Sequence, residues 1–211
     1  MQTLLVVFCR PALCFSGTRV FTFFSLQNTF IFDPQRRTNY MTTTRKILLF
    51  CLLGAALIGI DRFTKVLAKQ DLKGKEPVSY LHDTIRIGYV ENTGAFLSFG
   101  ADWPEAVSFW VFGILPLLLL LAFFIYCITK AKTLAFSQLV PFALIFAGGT
   151  GNIIDRLMYN RHVSDFMNVG IGSLRTGIFN FADLCVSTAV VILVVQSFKK
   201  DKSKAGHEEI H

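Results

Sequence analysis

Four stretches of this 211-residue chain are too apolar and too long to serve as core helices of a soluble domain: about Ile47 to Ala68, Glu105 to Thr129, Ala135 to Met158 and Ile178 to Phe198. A helix rising 1.5 Å per residue needs about 20 residues to cross roughly 30 Å of hydrocarbon, and each stretch is that long. Only a helix satisfies its own backbone polar groups in that medium, so four helical spans are predicted. Charged residues make up 17% of the chain, against roughly 25% in soluble domains, which leaves no room for a large soluble domain. The fold class expected is therefore an all-α membrane protein, a four-transmembrane-helix bundle with both ends on one side.

Flanking charge orients the bundle. Arg45 and Lys46 precede the first span, Lys130 and Lys132 fill the turn between the second and third, and Lys199, Lys200, Lys202 and Lys204 follow the fourth. Basic residues packed into short connections mark the cytoplasmic side, so both termini are expected there. The net charge of +7 then belongs to topology and implies no nucleic-acid partner. Asp102-Trp103-Pro104-Glu105 reads as a capping box opening the second span, and Pro116 and Pro141 as kinks.

Two connections lie on the outer side. Lys69 to Ala101 is too long for a bare connector, and partial alternation over 84–90 predicts a short external sheet. Tyr159 to Gly177 joins spans three and four and carries Gly170, Gly172 and Gly177. Residues 1–40 are Phe-rich yet too interrupted to span, whereas Met41-Thr42-Thr43-Thr44-Arg45-Lys46 leads straight into an apolar run. The expected organisation is an extension over 1–40 outside the functional chain, a membrane domain over 41–198 and a basic cytoplasmic tail over 199–211.

Ionisable groups in a span cost about 2.5–3.5 kcal/mol each at its centre, so their presence asks for a reason. Here they gather at the outer ends of the spans and in the outer loops. Asp61 and Lys65, four apart, share a helix face and can pair, either as an interfacial anchor or in support of chemistry. In Gly148-Gly149-Thr150-Gly151-Asn152-Ile153-Ile154-Asp155-Arg156 small residues permit close helix approach while Asn152, Asp155 and Arg156 return to one face. Asp165 and Asp183 each sit among apolar neighbours at a depth that water reaches. Brought within hydrogen-bond distance, two such carboxylates share a proton and supply one base and one acid. The plainer alternative is that each solvates a helix end separately. No HExxH, GxSxG or GxGD motif supports a zinc, serine or other aspartyl scheme.

Asp61-Arg62-Phe63-Thr64-Lys65, Glu91-Asn92-Thr93-Gly94-Ala95-Phe96, Gly151-Asn152-Ile153-Ile154-Asp155-Arg156, Val163-Ser164-Asp165-Phe166 and Phe179-Asn180-Phe181-Ala182-Asp183 occur in an order that resembles bacterial lipoprotein signal peptidase, signal peptidase II. The resemblance covers Met41 to about Phe198. It implies an inner-membrane aspartyl endopeptidase with four helices and a small external β-sheet cradle. Such an enzyme removes the signal peptide of a diacylglyceryl-modified prolipoprotein just before the lipidated cysteine, with its active site at the outer face. By the same resemblance Asp165 and Asp183 are the catalytic pair; Asn92, Gly94, Asn152, Asp155, Arg156, Asn180 and Ala182 line or brace the site, and Asp61 and Lys65 support it. It implies no metal or other cofactor, contact with membrane lipids, competition by globomycin-type inhibitors and a working monomer. Three departures stand out: Arg62 where the family often has Gln, Ser164 in place of a second Val, and an Asp155 to Asp165 interval one residue longer. From the residues alone, an ion-coupled carrier or a structural membrane subunit stays open.

Overall fold

The structure is a computed structural model that describes residues 41–93, 100 and 102–208, with side chains as far as 199. Residues 1–40, and Gly94 with them, lie outside the described residues. The first span is α1 (Thr43–Leu72), opened by Thr42, whose hydroxyl accepts from the Arg45 N–H. It is followed by β1 (Val78–Tyr80) and β2 (Ile85–Asn92). The second span is continuous over Glu105–Thr129 but not uniform: α2 (Glu105–Ser108), a π-helical stretch over Phe109–Ile114, then α3 (Leu115–Thr129). Pro116, which has no N–H to give, sits in the first turn of α3 directly after the widened turn. The chain returns as α4 (Phe136–Met158), crosses the surface as β3 (Val163–Ile171) and β4 (Leu174–Arg175), and ends in α5 (Phe181–Glu208).

Among the described residues, four helices are thus long and apolar enough to cross a membrane. Large apolar side chains such as Leu52, Leu118, Leu119 and Val191 face outward, as a lipid-facing surface requires. The capping box expected at Asp102 is not formed: Pro104 is the N-cap of α2 and no side chain caps it. A proline fixed in extended backbone starts the helix in place of the acid two residues earlier.

α4 packs against α1, α3 and α5, and its sequence explains why it can. A Cβ built on Gly148 would run into the Ala182 carbonyl and Val186, and one on Gly151 would lie 2.5 Å from Asp61 Oδ2. Glycines three apart therefore bring α5 and α1 against the α4 backbone. Below them, Phe50, Cys127 and Ala143 are buried with Phe124 and Phe146 tilted around Phe50.

The external sheet is antiparallel, in the order β1-β2-β3-β4. Its β2 strand falls where alternation predicted one. The β3 strand lies within the Tyr159 to Gly177 connection, for which no strand was predicted, and Val163 to Phe166 at its start are all buried. At the β1–β2 turn Leu81, His82 and Asp83 have positive φ. Asp83 holds the turn by accepting from Ser79 (2.7 Å) and from Arg86 Nε (2.7 Å), while its carbonyl accepts from Arg175 (2.7 Å). The guanidinium of Arg86 keeps the Asp83 carboxyl below the usual carboxylate range.

Candidate active site

Five elements meet at the end of the bundle that carries the sheet: α1, β2, α4, β3 and α5. Asp165 stands on β3 opposite Val90 of β2, and Asn92, two residues further along β2, reaches it diagonally with Nδ2 3.1 Å from Asp165 Oδ2. Asp183 stands in the first turn of α5. Its Oδ2 accepts from the Asn180 N–H (3.1 Å) while Asn180 Oδ1 accepts from the Asp183 N–H (3.1 Å), a reciprocal cap at the head of the helix. Asp183 caps the helix with one oxygen and leaves the other to accept from a neighbouring amide.

A chain of amides joins the two aspartates. Asn180 Nδ2 donates to Asp165 Oδ1 (2.6 Å) and to Asn152 Oδ1 (3.1 Å); Asn152 Nδ2 donates to Asp183 Oδ1 (2.7 Å). Asn152 cannot turn over, because its oxygen also accepts from Lys65 Nζ at 3.0 Å and its nitrogen is thereby directed at Asp183. Asn180 is fully buried and Asp165 is 3% exposed. Burial pushes the Asp165 carboxyl up to about 6, with the Asn180 and Asn92 amides working against the rise and Asp183 adding to it.

Behind the amides lies a second pair of carboxylates. Asp61 and Asp155 are 1% and 0% exposed. Lys65 Nζ lies 3.1 Å from Asp61 Oδ2 and 2.9 Å from Asp155 Oδ2, so the expected Asp61 and Lys65 pair forms, in the interior and not as an interfacial anchor. Arg62 joins both acids as well: Nη2 is 2.7 Å from Asp61 Oδ2 and Nη1 is 2.5 Å from Asp155 Oδ1, and Nη2 also donates to the Gly151 carbonyl (2.9 Å). Asp155 Oδ2 accepts the main-chain N–H of Ser164 (3.2 Å), and Asp61 Oδ1 that of Ala182 (3.0 Å).

Asn92, Asn152, Arg156, Asp165 and Asp183 line one open cavity of about 640 Å³, whose remaining wall includes Ile178, Phe179, Leu184 and Val186. Both aspartates are thus exposed to a space with a polar floor and an apolar side. A profile of the family described as Signal peptidase (SPase) II matches residues 53–199, more than half the chain and all of these residues. The chain belongs to the signal peptidase II family. Over 173 residues it is 31% identical to the lipoprotein signal peptidase of Chlorobium phaeobacteroides, covering 77% of this chain and 98% of that protein. It is 34% identical over 153 residues to the lipoprotein signal peptidase of Borrelia hermsii, covering 70% and 88%. Two solved structures described as bacterial membrane enzymes share the fold, with TM-scores of 0.61 and 0.57 at 24% identity; they cover 74% and 71% of this chain and 90% and 92% of theirs. With its four apolar helices, this member of the signal peptidase II family is a multi-pass membrane protein.

The residues singled out by sequence that are described converge; Gly94 lies outside the described residues. Asn152 and Asp155 both meet the Lys65 ammonium, and Asn152 and Arg156 line the cavity. Two participants were missed. Arg62 registered only as a departure from the family, and nothing local said that it would reach across to α4. Tyr89 donates to or accepts from Ser164 Oγ (3.1 Å) and donates to Glu91 (3.1 Å), which pairs with Lys73 (2.6 Å), tying the sheet to the end of α1.

Proposed function

We propose that this chain is an aspartyl endopeptidase that removes the signal peptide from diacylglyceryl-modified prolipoproteins, cutting before the lipidated cysteine. The observation that carries this reading is two carboxylates on different elements, Asp165 and Asp183, opening on one cavity and linked through Asn180 and Asn152. Asp165, with its carboxyl near 6, holds the shared proton and polarises the scissile carbonyl. Asp183 takes a proton from water, whose oxygen attacks the carbonyl carbon; the amide C–N bond then breaks as the departing nitrogen is protonated. Asn92, Asn152 and Asn180 hold the two carboxyls in place, and Arg156 supplies positive charge to the cavity. Gly94 is assigned to the same substrate-facing loop by family resemblance.

The basic residues flanking α1, α4 and the end of α5 support cytoplasmic termini in an inner membrane, with the cavity at the outer face. There a lipid-anchored substrate meets both peptide-binding surface and water. The apolar wall suits globomycin-type competitors, and a single chain holding every motif supports a working monomer without a cofactor.

Cleavage of a lipid-modified prolipoprotein in detergent tests the assignment. Asp165→Asn and Asp183→Asn should each abolish it while the proteins still insert and accumulate; cleavage at the wild-type rate by either variant overturns the pair. A carrier would instead give graded loss and a pH-dependent flux, and a scaffold would lose assembly.

A further inference from the structure

A second open cavity, of about 550 Å³, shares Arg156 with the first and takes no part in the proposed reaction. The head of the second span forms one wall, through Glu105, Phe109 and Trp110. The end of α4 and the turn after it form the other, through Arg156, Leu157 and Arg161. Both walls stand where an apolar span gives way to polar chain, so the cavity lies at the membrane boundary. Part of its lining is apolar: Phe109 and Trp110 meet edge to face with ring centroids 6.0 Å apart, and Trp110 and Leu157 are largely exposed. The rest carries two guanidiniums, of Arg156 and Arg161, against one carboxylate, that of Glu105. The π-helical stretch also begins at Phe109, in the cavity wall, and widened turns of this kind recur at functional sites.

Arg161 is held at this cavity against the preference of its backbone. The Tyr159 N–H donates to the Asp155 carbonyl (2.8 Å) and the Arg161 N–H reaches back to the Arg156 carbonyl (2.9 Å), with Asn160 and Arg161 at φ of 49° and 69°. Asparagine enters this left-handed region readily, whereas a long side chain is strained there, and such strain collects at functional positions. The turn folds Arg161 back onto the helix end that carries Arg156. Its head is not used up by the protein. Nη1 donates to the Glu105 carbonyl only at 3.5 Å, and Nε is buried without a hydrogen-bond partner among the described residues. A buried donor left unanswered is costly, and an acceptor brought from outside removes that cost.

We infer that this second cavity binds a membrane phospholipid, with Arg161 and Arg156 on the phosphate oxygens and Phe109, Trp110 and Leu157 along the acyl chains. A planar guanidinium fork matches phosphate oxygens, basic pockets between spans receive lipid headgroups, and aromatic rings settle at headgroup level. The lipid of the proposed substrate is a diacylglyceryl group without phosphate, which would leave both guanidiniums unanswered. The occupant is therefore a resident lipid, distinct from the substrate. The inference stands whether or not Asp165 and Asp183 are the catalytic pair.

Arg156 also lines the first cavity, so the test goes through Arg161, which lines the second alone. The full chain, stripped of lipid in detergent, is titrated with dioleoylphosphatidylglycerol or with dioleoylglycerol. Lipid retained per chain is counted by native mass spectrometry, with thermal unfolding read on the same samples. Wild type should retain a single phosphatidylglycerol, at least about threefold less dioleoylglycerol, and should not release the lipid to millimolar inorganic phosphate. Arg161→Gly, which relieves the left-handed backbone, should fold as stably as wild type yet retain at least about threefold less phosphatidylglycerol. Arg161→Lys, which keeps the charge without the fork, should retain more than Arg161→Gly. Lys130→Gln, at the opposite end of the spans, should bind as wild type does. The inference fails if Arg161→Gly stays within about threefold of wild type, if its loss matches a loss of folded protein, or if Lys130→Gln loses as much. Equal retention of dioleoylglycerol would overturn the phosphate contact, and displacement by inorganic phosphate would overturn the lipid in favour of a free anion.

Discussion

Two pairs of aspartates lie one behind the other at the sheet end of this bundle, and they differ in what they are given to hold. Asp165 and Asp183 receive neutral amides, from Asn92, Asn180 and Asn152, and open on a cavity. Asp61 and Asp155 receive cations, from Arg62 and Lys65, and are closed off. An amide steadies a carboxylate with a neutral hydrogen bond; a cation adds a charge-assisted bond and an ion pair that ties two elements together. The partner, more than the carboxylate, separates a group suited to chemistry from one suited to construction.

The largest effect should come from removing an outer acid. Asp155→Ala or Asp61→Ala leaves buried cations uncompensated and should cost about 3–5 kcal/mol of stability, read as poor accumulation and a lowered unfolding temperature. Asp165→Asn should leave the unfolding temperature unchanged or raised. Equal destabilisation by Asp155→Ala and Asp165→Asn would erase the distinction between the pairs.

A pH profile tests the Asp165 side of the comparison next. The Asp165 carboxyl sits near 6, above an ordinary carboxylate, so the native state holds a proton there that the unfolded chain has released. Its favourable contribution to stability is therefore complete below about pH 4 and is lost as pH rises through about 6. Loss of the shared proton should also bring kcat down by up to about tenfold per pH unit on the alkaline side, measured as a pH profile of prolipoprotein cleavage. An alkaline limb that is absent through pH 8 would remove Asp165 as the proton holder.

Size sharpens the comparison further. Gly151→Ala pushes a methyl group against the Asp61 carboxylate and Ala182. An overpacking cost of about 1–3 kcal/mol is expected, with activity falling alongside stability. Gly59→Ala, whose added carbon meets nothing within 4 Å, serves as the control in the same melting experiment. The smallest effect belongs to a third acid–cation pair. Lys73 and Glu91 are joined at 2.6 Å but 52% and 35% exposed, and Lys73→Ala should leave the unfolding temperature essentially unchanged. A large loss there would mean that burial is not what gives the Arg62 and Lys65 pairs their weight.

Much of this arrangement is legible in the sequence, and the illegible parts have physical reasons. The spans are visible because lipid demands long apolar helices, and Asp61 and Lys65 are visible as a pair because helical spacing is local. β3 is not, because alternation marks a strand with one wet face and Val163 to Phe166 are buried throughout. Asp102 carries the chemistry of a cap, yet Pro104 takes the position, since φ fixed by the ring starts the turn without a side-chain acceptor. Arg62 is the hardest to foresee. Its partners Asp155 and Gly151 lie about ninety residues away, on a helix whose rotation about its axis no local pattern states.

Asp155 and Asp61 take hold of Ser164 and Ala182 by the peptide and not by the side chain. Drift in sequence is therefore constrained unevenly along the two segments that carry Asp165 and Asp183. Position 164 can change its side chain without loosening Asp165, which accommodates the departure from valine seen here; position 182 is confined to small residues by the fully buried contact with α4. One residue type is barred from both by a different rule. Proline has no N–H to surrender, so a single codon change to proline at either place would free an aspartate while leaving every acid, amide and cation of the site intact.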